Sequence, residues 1–173
     1  MDSTYPIVAG LCLISLALRT TYESLKKAGR IDAENKVIFA VVFAAMCVML
    51  VSWPLMCPRD PWRIDLPSVV GWIGLGVAAV ALVLALGGVV QLRGVENIDH
   101  LVTTGLYSKL RHPMYVGFIL WIVGWVVCYG AVASLAVGLV GIGNILYWRH
   151  LEEVALESRY EEDYLVYRRG TWF

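Results

Sequence analysis

Charge is scarce in this chain. Asp, Glu, Lys and Arg make up 16% of its 173 residues and cancel to a formal net charge of zero, against about 25% charged residues in ordinary soluble domains. Such a balance gives no electrostatic footprint for nucleic acid. Cysteines are few: Cys12, Cys47, Cys57 and Cys128 are scattered, none forms a C-x-x-C pair, and three lie in apolar runs. They read as small buried hydrophobes rather than a disulfide framework or a zinc site. His100, His112 and His150 lack helical or C-x-x-C-like spacing, so no metal-ligand cluster is expected. There is no glycine-rich phosphate loop, no Ser–His–Asp set, no repeat and no low-complexity linker. The first apolar run is preceded by Asp2 rather than by a basic region, so a cleaved signal peptide is not expected.

What the chain has in abundance is apolar sequence: 59% of residues are hydrophobic and mean hydropathy is +0.68. Long uncharged runs mark membrane spans. The first runs over about 5–25, with Arg19 near its end, either snorkelling toward headgroups or facing a cavity. A basic loop with Lys26, Lys27 and Arg30 follows. Gly29 breaks the helix and Asp32 is placed to cap the next one. The second span covers about 37–55 and is expected to stop at Pro54 and Pro58. The third, about 69–92, holds Gly71, Gly74, Gly76, Gly87 and Gly88, small residues that let membrane helices approach closely. Residues 93–112 are polar. From Met114 to Trp148 there are 35 residues without a charge, too many for one crossing of a roughly 30 Å core. The Tyr129-Gly130 pair therefore predicts a hairpin of two spans, about 114–128 and 131–148. The charged tail from Arg149 to Phe173 reads as an amphipathic helix with Leu151, Val154, Ala155 and Tyr160 on one face.

These elements predict an all-α integral membrane bundle of about five transmembrane helices with a cytoplasmic C-terminal helix. Five spans put the chain ends on opposite sides. One side collects Lys26, Lys27, Arg30, Lys36, Arg93, Lys109, Arg111, Arg149, Arg159, Arg168 and Arg169, the other only Arg59 and Arg63. The positive-inside rule then makes the first side cytoplasmic and the N-terminus external. The two polar regions, 93–112 and the tail, share that side and can meet.

The chemistry-bearing residues lie there. Pro113 suits a helix's first turn, which puts Arg111 and His112 at the helix mouth, where unpaired N–H groups and the dipole favour an anion. His112 can exchange a proton near neutral pH. Tyr107 and Tyr115 offer ring faces and hydroxyls to a ring and a sugar. Glu152 and Glu153 follow Arg149-His150 at the same depth. One carboxylate could hold a diol or an ammonium group, and Arg149 a carboxylate. The plain alternative is a set of interfacial anchors and a solvated charged face.

The run Leu-Val-Thr-x-Gly-x-Tyr-x-x-x-Arg-His-Pro-x-Tyr-x-Gly over 101–117 resembles the signature of the isoprenylcysteine carboxyl methyltransferases, whose wider group includes the phospholipid N-methyltransferases. A second block, Glu152-Glu153, Leu156 and Tyr164-Leu165-Val166-Tyr167, is similar to that family's tail. The resemblance implies one membrane methyltransferase domain over 1–173, with generic first spans (1–66) and a cofactor-binding catalytic part over 93–173. It implies S-adenosylmethionine as cofactor, lined by His100, Leu101, Val102, Gly105, Tyr107, His112, Pro113, Met114, Tyr115 and Glu152. It also implies a lipophilic acceptor entering from the bilayer, foremost a prenylcysteine-type carboxylate oriented by Arg149. A carboxylate acceptor needs no base, whereas an amine acceptor would need Glu153 or His112 to take its proton. The alternatives are a phospholipid or other lipid N- or S-methyltransferase, an NADPH-dependent membrane reductase, and a non-catalytic scaffold. Four positions depart from the family pattern. Asp99 stands where a histidine is usual, with His100 displaced by one. Trp148 stands at the usual arginine and Glu161 at a common glycine. The final Arg-x-x-Pro is absent.

Overall fold

The computed structural model describes residues 3–31, 35–92 and 101–173. Five helices carry the fold: α1 (Thr4–Lys27), α2 (Lys36–Met56), α3 (Ser68–Leu92), α4 (Pro113–Tyr129) and α5 (Val132–Gly170), with short 3-10 helices at Cys57–Arg59 and Gly105–Ser108. Among the described residues there is no strand, only two isolated bridges. The chain is the expected all-α membrane bundle. α1, α2, α3 and α5 are long and apolar enough to cross a membrane. α4 has 17 residues, roughly 25 Å of helix, the lower end of what a span requires. Large apolar side chains face outward along these helices, Ile14 at 63% and Val90 at 74% exposure among them. That inverts the pattern of a soluble domain and fits a hydrocarbon surround.

The helix ends show how sequence sets the boundaries. Asn35 caps α2, its side chain accepting from Val37 N at 2.9 Å and Ile38 N at 3.4 Å. Asp32, the expected cap, lies outside the described residues. α2 also runs through Pro54 to Met56 instead of stopping there. A proline leaves the carbonyl four residues back without its helical donor. Here that carbonyl is Leu50 O, and Trp121 Nε1 from α4 donates to it at 3.0 Å. A tertiary hydrogen bond thus satisfies the group and lets the last turn form.

α3 and α4 form the closest helix pair. A Cβ on Gly124 would lie 2.7 Å from Ala78 N and 2.8 Å from Gly74 O, and one on Gly117 would lie 2.8 Å from Ala81 O and Ala85 N. Gly71 and Gly74 meet Cys128, Gly87 meets Leu106, and Gly88 meets Met114. Gly76 faces open space and Gly87 meets the 3-10 turn rather than a helix, so three of the five α3 glycines, Gly71, Gly74 and Gly88, serve the close helix approach expected of them. The α4–α5 hairpin turns at Gly130, where φ is +58° and a Cβ would strike the Ile64 carbonyl oxygen. The next helix is capped in trans: buried Asp60 accepts from Ser134 N and Oγ, both at 2.6 Å, and from Ala133 N at 3.3 Å.

α5 continues past Trp148 without a break as far as Glu161, so the first part of the tail prolongs the last span and only the segment beyond Glu161 is a separate C-terminal helix. The chain kinks at Glu161 (φ 45°, ψ −119°), a backbone region that L-residues occupy at a cost of about 1–3 kcal/mol. Leu151 is buried as expected, but Val154 and Ala155 are exposed and line a cavity, and Tyr160 is only partly buried. Glu153 is buried in their place because it is paired at the mouth of α4.

Candidate active site

The chain's alternation brings the N-terminal end of α4 against α5 just beyond Trp148. His112 is buried as the residue preceding Pro113, and its ring lies 5.5 Å from that of Tyr115, close to parallel. Glu153, 9% exposed, is the hub. Arg111 Nε donates to its Oε1 at 3.3 Å and Arg149 Nη2 at 3.2 Å. His112 Nε2 lies 3.4 Å from the same oxygen, and His112 Nδ1 is 3.7 Å from Glu152 Oε2. Facing His112 and Arg149 hold the Glu153 carboxyl down to about 2, against the upward push of burial. Glu153 is therefore a fixed anion near neutral pH. It is a poor proton acceptor, and the base role allowed for it above does not suit its surroundings.

Glu152 faces the other way. It and Tyr115 share a wall of a cavity of about 820 Å³ lined by all five helices and mostly apolar. Met114 also lines it; His112, Glu153 and Arg149 do not. A smaller cavity of about 490 Å³, bordered by Arg63, Trp72 and Tyr129, lies at the opposite end of the bundle.

The remaining expected site residues are placed as follows. Tyr107 is buried and its hydroxyl donates to Gly88 O at 3.4 Å, so that hydroxyl is committed to the helix rather than open to a sugar. Gly105 has φ +61°, and a Cβ there would run into Gln91, whose Oε1 accepts from Leu106 N at 2.9 Å. Its visible contribution is to the turn. Leu101 and Val102 are half-buried and Val102 packs on the core. Pro113 is fully buried in the first turn of α4. His100 lies outside the described residues. Arg149 is brought into the cluster, but its guanidinium is spent on Glu153 and covered by Phe173, whose ring centroid lies 4.4 Å from Cζ. Its Nε is buried without a partner among the described residues.

Three residues named in the sequence take roles that it did not assign: Arg111 at the mouth of α4, and Tyr164 and Tyr167 of the second motif block. Arg111 ties the loop to the tail, donating from Nη1 to Thr171 O at 2.6 Å and to Arg168 O at 3.2 Å. The tail also runs beside the loop as backbone: Trp172 N donates to Lys109 O at 2.8 Å and Arg111 N to Trp172 O at 3.1 Å. Tyr164 is fully buried, with its hydroxyl unpartnered among the described residues. Tyr167 Oη donates to Tyr107 O at 2.6 Å. Burial pushes both hydroxyls up to about 12, so they stay protonated donors. The second motif block contained these tyrosines, but nothing in the sequence said that they seal the loop.

Residues 70–163 match the phospholipid methyltransferase family. Over 81 residues, 43% of this chain, it is 34% identical to the protein-S-isoprenylcysteine O-methyltransferase of Schizosaccharomyces pombe. Over 138 residues, 72% of this chain, it is 28% identical to the methanethiol S-methyltransferase of a Pseudomonas strain. The chain spans about a third of the first protein (32%) and about half of the second (52%). No solved structure matches it. The family match runs from α3 through the His112 cluster to the turn of α5 beyond Glu161, more than half of the 173 residues, and by that match this protein belongs to the phospholipid methyltransferase family.

Proposed function

We propose that this chain transfers a methyl group from S-adenosylmethionine to a lipophilic acceptor held between its helices. The carrying observation is the cavity of about 820 Å³: all five helices supply its mostly apolar walls, while Glu152 and Tyr115 place polar groups on it next to the His112 cluster. Its size suits a ligand of several hundred daltons. Family membership supports methyl transfer as the reaction.

The residues fit the cofactor. The Tyr164 hydroxyl and Arg149 Nε are buried donors without partners among the described residues, a state that polar interiors rarely leave unfilled. His112 and the free N–H groups of α4's first turn suit a carboxylate. Glu152 suits a hydroxyl or ammonium group, and Leu101, Val102, Tyr107, Met114 and Tyr115 supply the surrounding surface. When bound, the cofactor supplies a methyl group already activated on a sulfonium. The protein's task is then orientation and exclusion of water. Among acceptors, a prenylcysteine-type carboxylate is the proposed one, because esterifying it needs no base; an amine acceptor would have to rely on His112, since Glu153, held down to about 2, is a poor base.

Calorimetry on the purified protein tests the reading. S-adenosylhomocysteine should bind, and His112→Ala and Glu152→Ala should each weaken it roughly 10-fold or more, the size of a lost charge-assisted hydrogen bond. Equal affinity in wild type and both variants would remove the pocket. The proposed orientation has its own check. The end carrying Lys26, Lys27, Lys36, Lys109, Arg111 and Arg149 is cytoplasmic by its excess of cations. A reporter fused after Phe173 should read cytoplasmic, and an external signal would reverse the topology.

A further inference from the structure

The smaller cavity, of about 490 Å³, lies where α3 begins and α4 ends, at the far end of the bundle from His112. One wall is the loop from Arg63 to Pro67. Hydrogen bonds tie that loop to the α4–α5 turn. Ile64 N donates to Gly130 O at 2.9 Å, Val132 N donates to Trp62 O at 2.8 Å, and Arg63 forms an antiparallel bridge with Ala131. Gly71 and Cys128 also border the space, and a Cβ on the glycine would lie 3.2 Å from Cys128 O. The cavity is therefore set by backbone that is already held in place. Its place at the helix ends, with Trp72 and Tyr129 on its sides, is the level of lipid headgroups.

Arg63 and Asp65 both border this cavity and both are exposed. They carry opposite charges two residues apart. Yet neither side chain makes an ion pair or a hydrogen bond among the described residues, with the other or with any third group. Opposite, unpaired charges beside two aromatic rings complement a ligand that carries a phosphate and an ammonium on one short linker. The guanidinium fork suits the phosphate, and the carboxylate and ring faces suit the ammonium. Interfacial anchoring alone would require neither a cavity nor this pair of charges. Next to it, α3 turns Ile73 and Leu75 outward, apolar surface on which acyl chains can lie. We propose that this cavity holds the zwitterionic headgroup of a membrane phospholipid. Its phosphate sits on Arg63, its ammonium beside Asp65, Trp72 and Tyr129, and its chains run along α3. The volume is in the range of small-molecule sites. The proposal is independent of methyl transfer, because no residue of the His112 cluster takes part in it.

The test titrates the full chain in maltoside detergent with dihexanoylphosphatidylcholine, kept below its micellar concentration and followed by tryptophan fluorescence. Dihexanoylphosphatidylglycerol keeps the phosphate and the chains but lacks the ammonium. Glycerophosphocholine keeps the head but lacks the chains. Wild type should bind the phosphatidylcholine at least threefold more tightly than either of the others. Asp65→Asn should erase the preference between the two lipids by weakening the phosphatidylcholine threefold or more. Arg63→Gln should weaken both lipids threefold or more. Melting temperatures should stay at the wild-type value, since neither side chain holds the fold. Equal affinity for the two lipids in wild type, or binding of neither, overturns the proposal. So does an unchanged preference in Asp65→Asn, or an unchanged affinity in Arg63→Gln. Glycerophosphocholine binding as tightly as the phosphatidylcholine would make the ligand a soluble headgroup and overturn the membrane source. If a variant fails to fold, the wild-type ranking of the three probes decides.

Discussion

A single methyl group added at Gly124 should destabilise the protein by about 3 kcal/mol, the upper range of overpacking, while the same change at Gly76 should be neutral or gain up to about 1 kcal/mol from helix propensity. The contrast follows from what each Cβ would meet. At Gly124 it would lie 2.7 Å from Ala78 N, 2.8 Å from Gly74 O and 3.0 Å from Ala78 Cα. All three are backbone atoms of α3, so no side chain can rotate away, and relief requires α3 and α4 to separate. That separation would spread to Gly117, where Ala81 O and Ala85 N are equally close, and to Gly88 beside Met114. Those contacts lie on the way to His112, so the loss should reach cofactor-product binding as well as stability. At Gly76 nothing lies within 4 Å. Denaturation in mixed micelles of Gly124→Ala and Gly76→Ala measures both. Equal stabilities would mean that the α3–α4 contact does not limit this fold.

That pair also shows what the sequence carries. Glycines spaced along an apolar run announce that some helix comes close, but not which one, nor that Gly76 points away. The apolar runs located both ends of the first four helices and the start of the fifth to within a few residues, because most of these ends lie at charges or turn residues that mark where the hydrocarbon stops. The far end of α5 was not located, because it continues past Trp148 as charged helix. Pro54 misled because its consequence depends on Trp121, 67 residues later in the chain, reaching the carbonyl it exposes. The meeting of His112 with Glu152 and Glu153 was legible by counting: an even number of crossings between two polar stretches returns them to the same side. The direction of each side chain was not. Adjacent carboxylates on a helix point about 100° apart, so Glu152 lines the cavity while Glu153 turns to the arginines. The sequence left Arg19 open between an interface and a cavity; the rings of Tyr22 and Trp148 settle it. Glu161, where the family commonly has glycine, is the residue found at φ 45°. The family pattern had marked a backbone requirement that composition alone does not reveal.

Glu153→Gln should lower stability by about 3 kcal/mol, as breaking a buried ion pair does, whereas Glu152→Gln should cost less than about 1 kcal/mol. Both variants keep the side-chain volume, so the difference reports charge. Glu153 Oε1 is shared by Arg111 at 3.3 Å, Arg149 at 3.2 Å and His112 at 3.4 Å, and its side chain is 12% exposed. An amide there leaves two guanidinium groups facing one another across a partly dry site. Glu152, with a side chain 27% exposed, faces only His112 among these, at 3.7 Å. Arg111 keeps its donations to Thr171 O and Arg168 O, so the loop should stay attached to the tail and the loss should remain short of unfolding. The same carboxylate sets an acid limb. Its pKa falls from 4.5 to about 2 on folding, so between those values the unfolded chain binds more protons than the folded one, and stability drops as pH drops through that window. Above about 4.5 the contribution of Glu153 is fully present, and near 2 it is gone. The difference in melting temperature between wild type and Glu153→Gln should therefore be constant at neutral pH and shrink steadily from about pH 4.5 to about pH 2. A difference that persists unchanged at the acid end would mean that packing or hydrogen bonding of the side chain, and not its charge, holds α4 to α5.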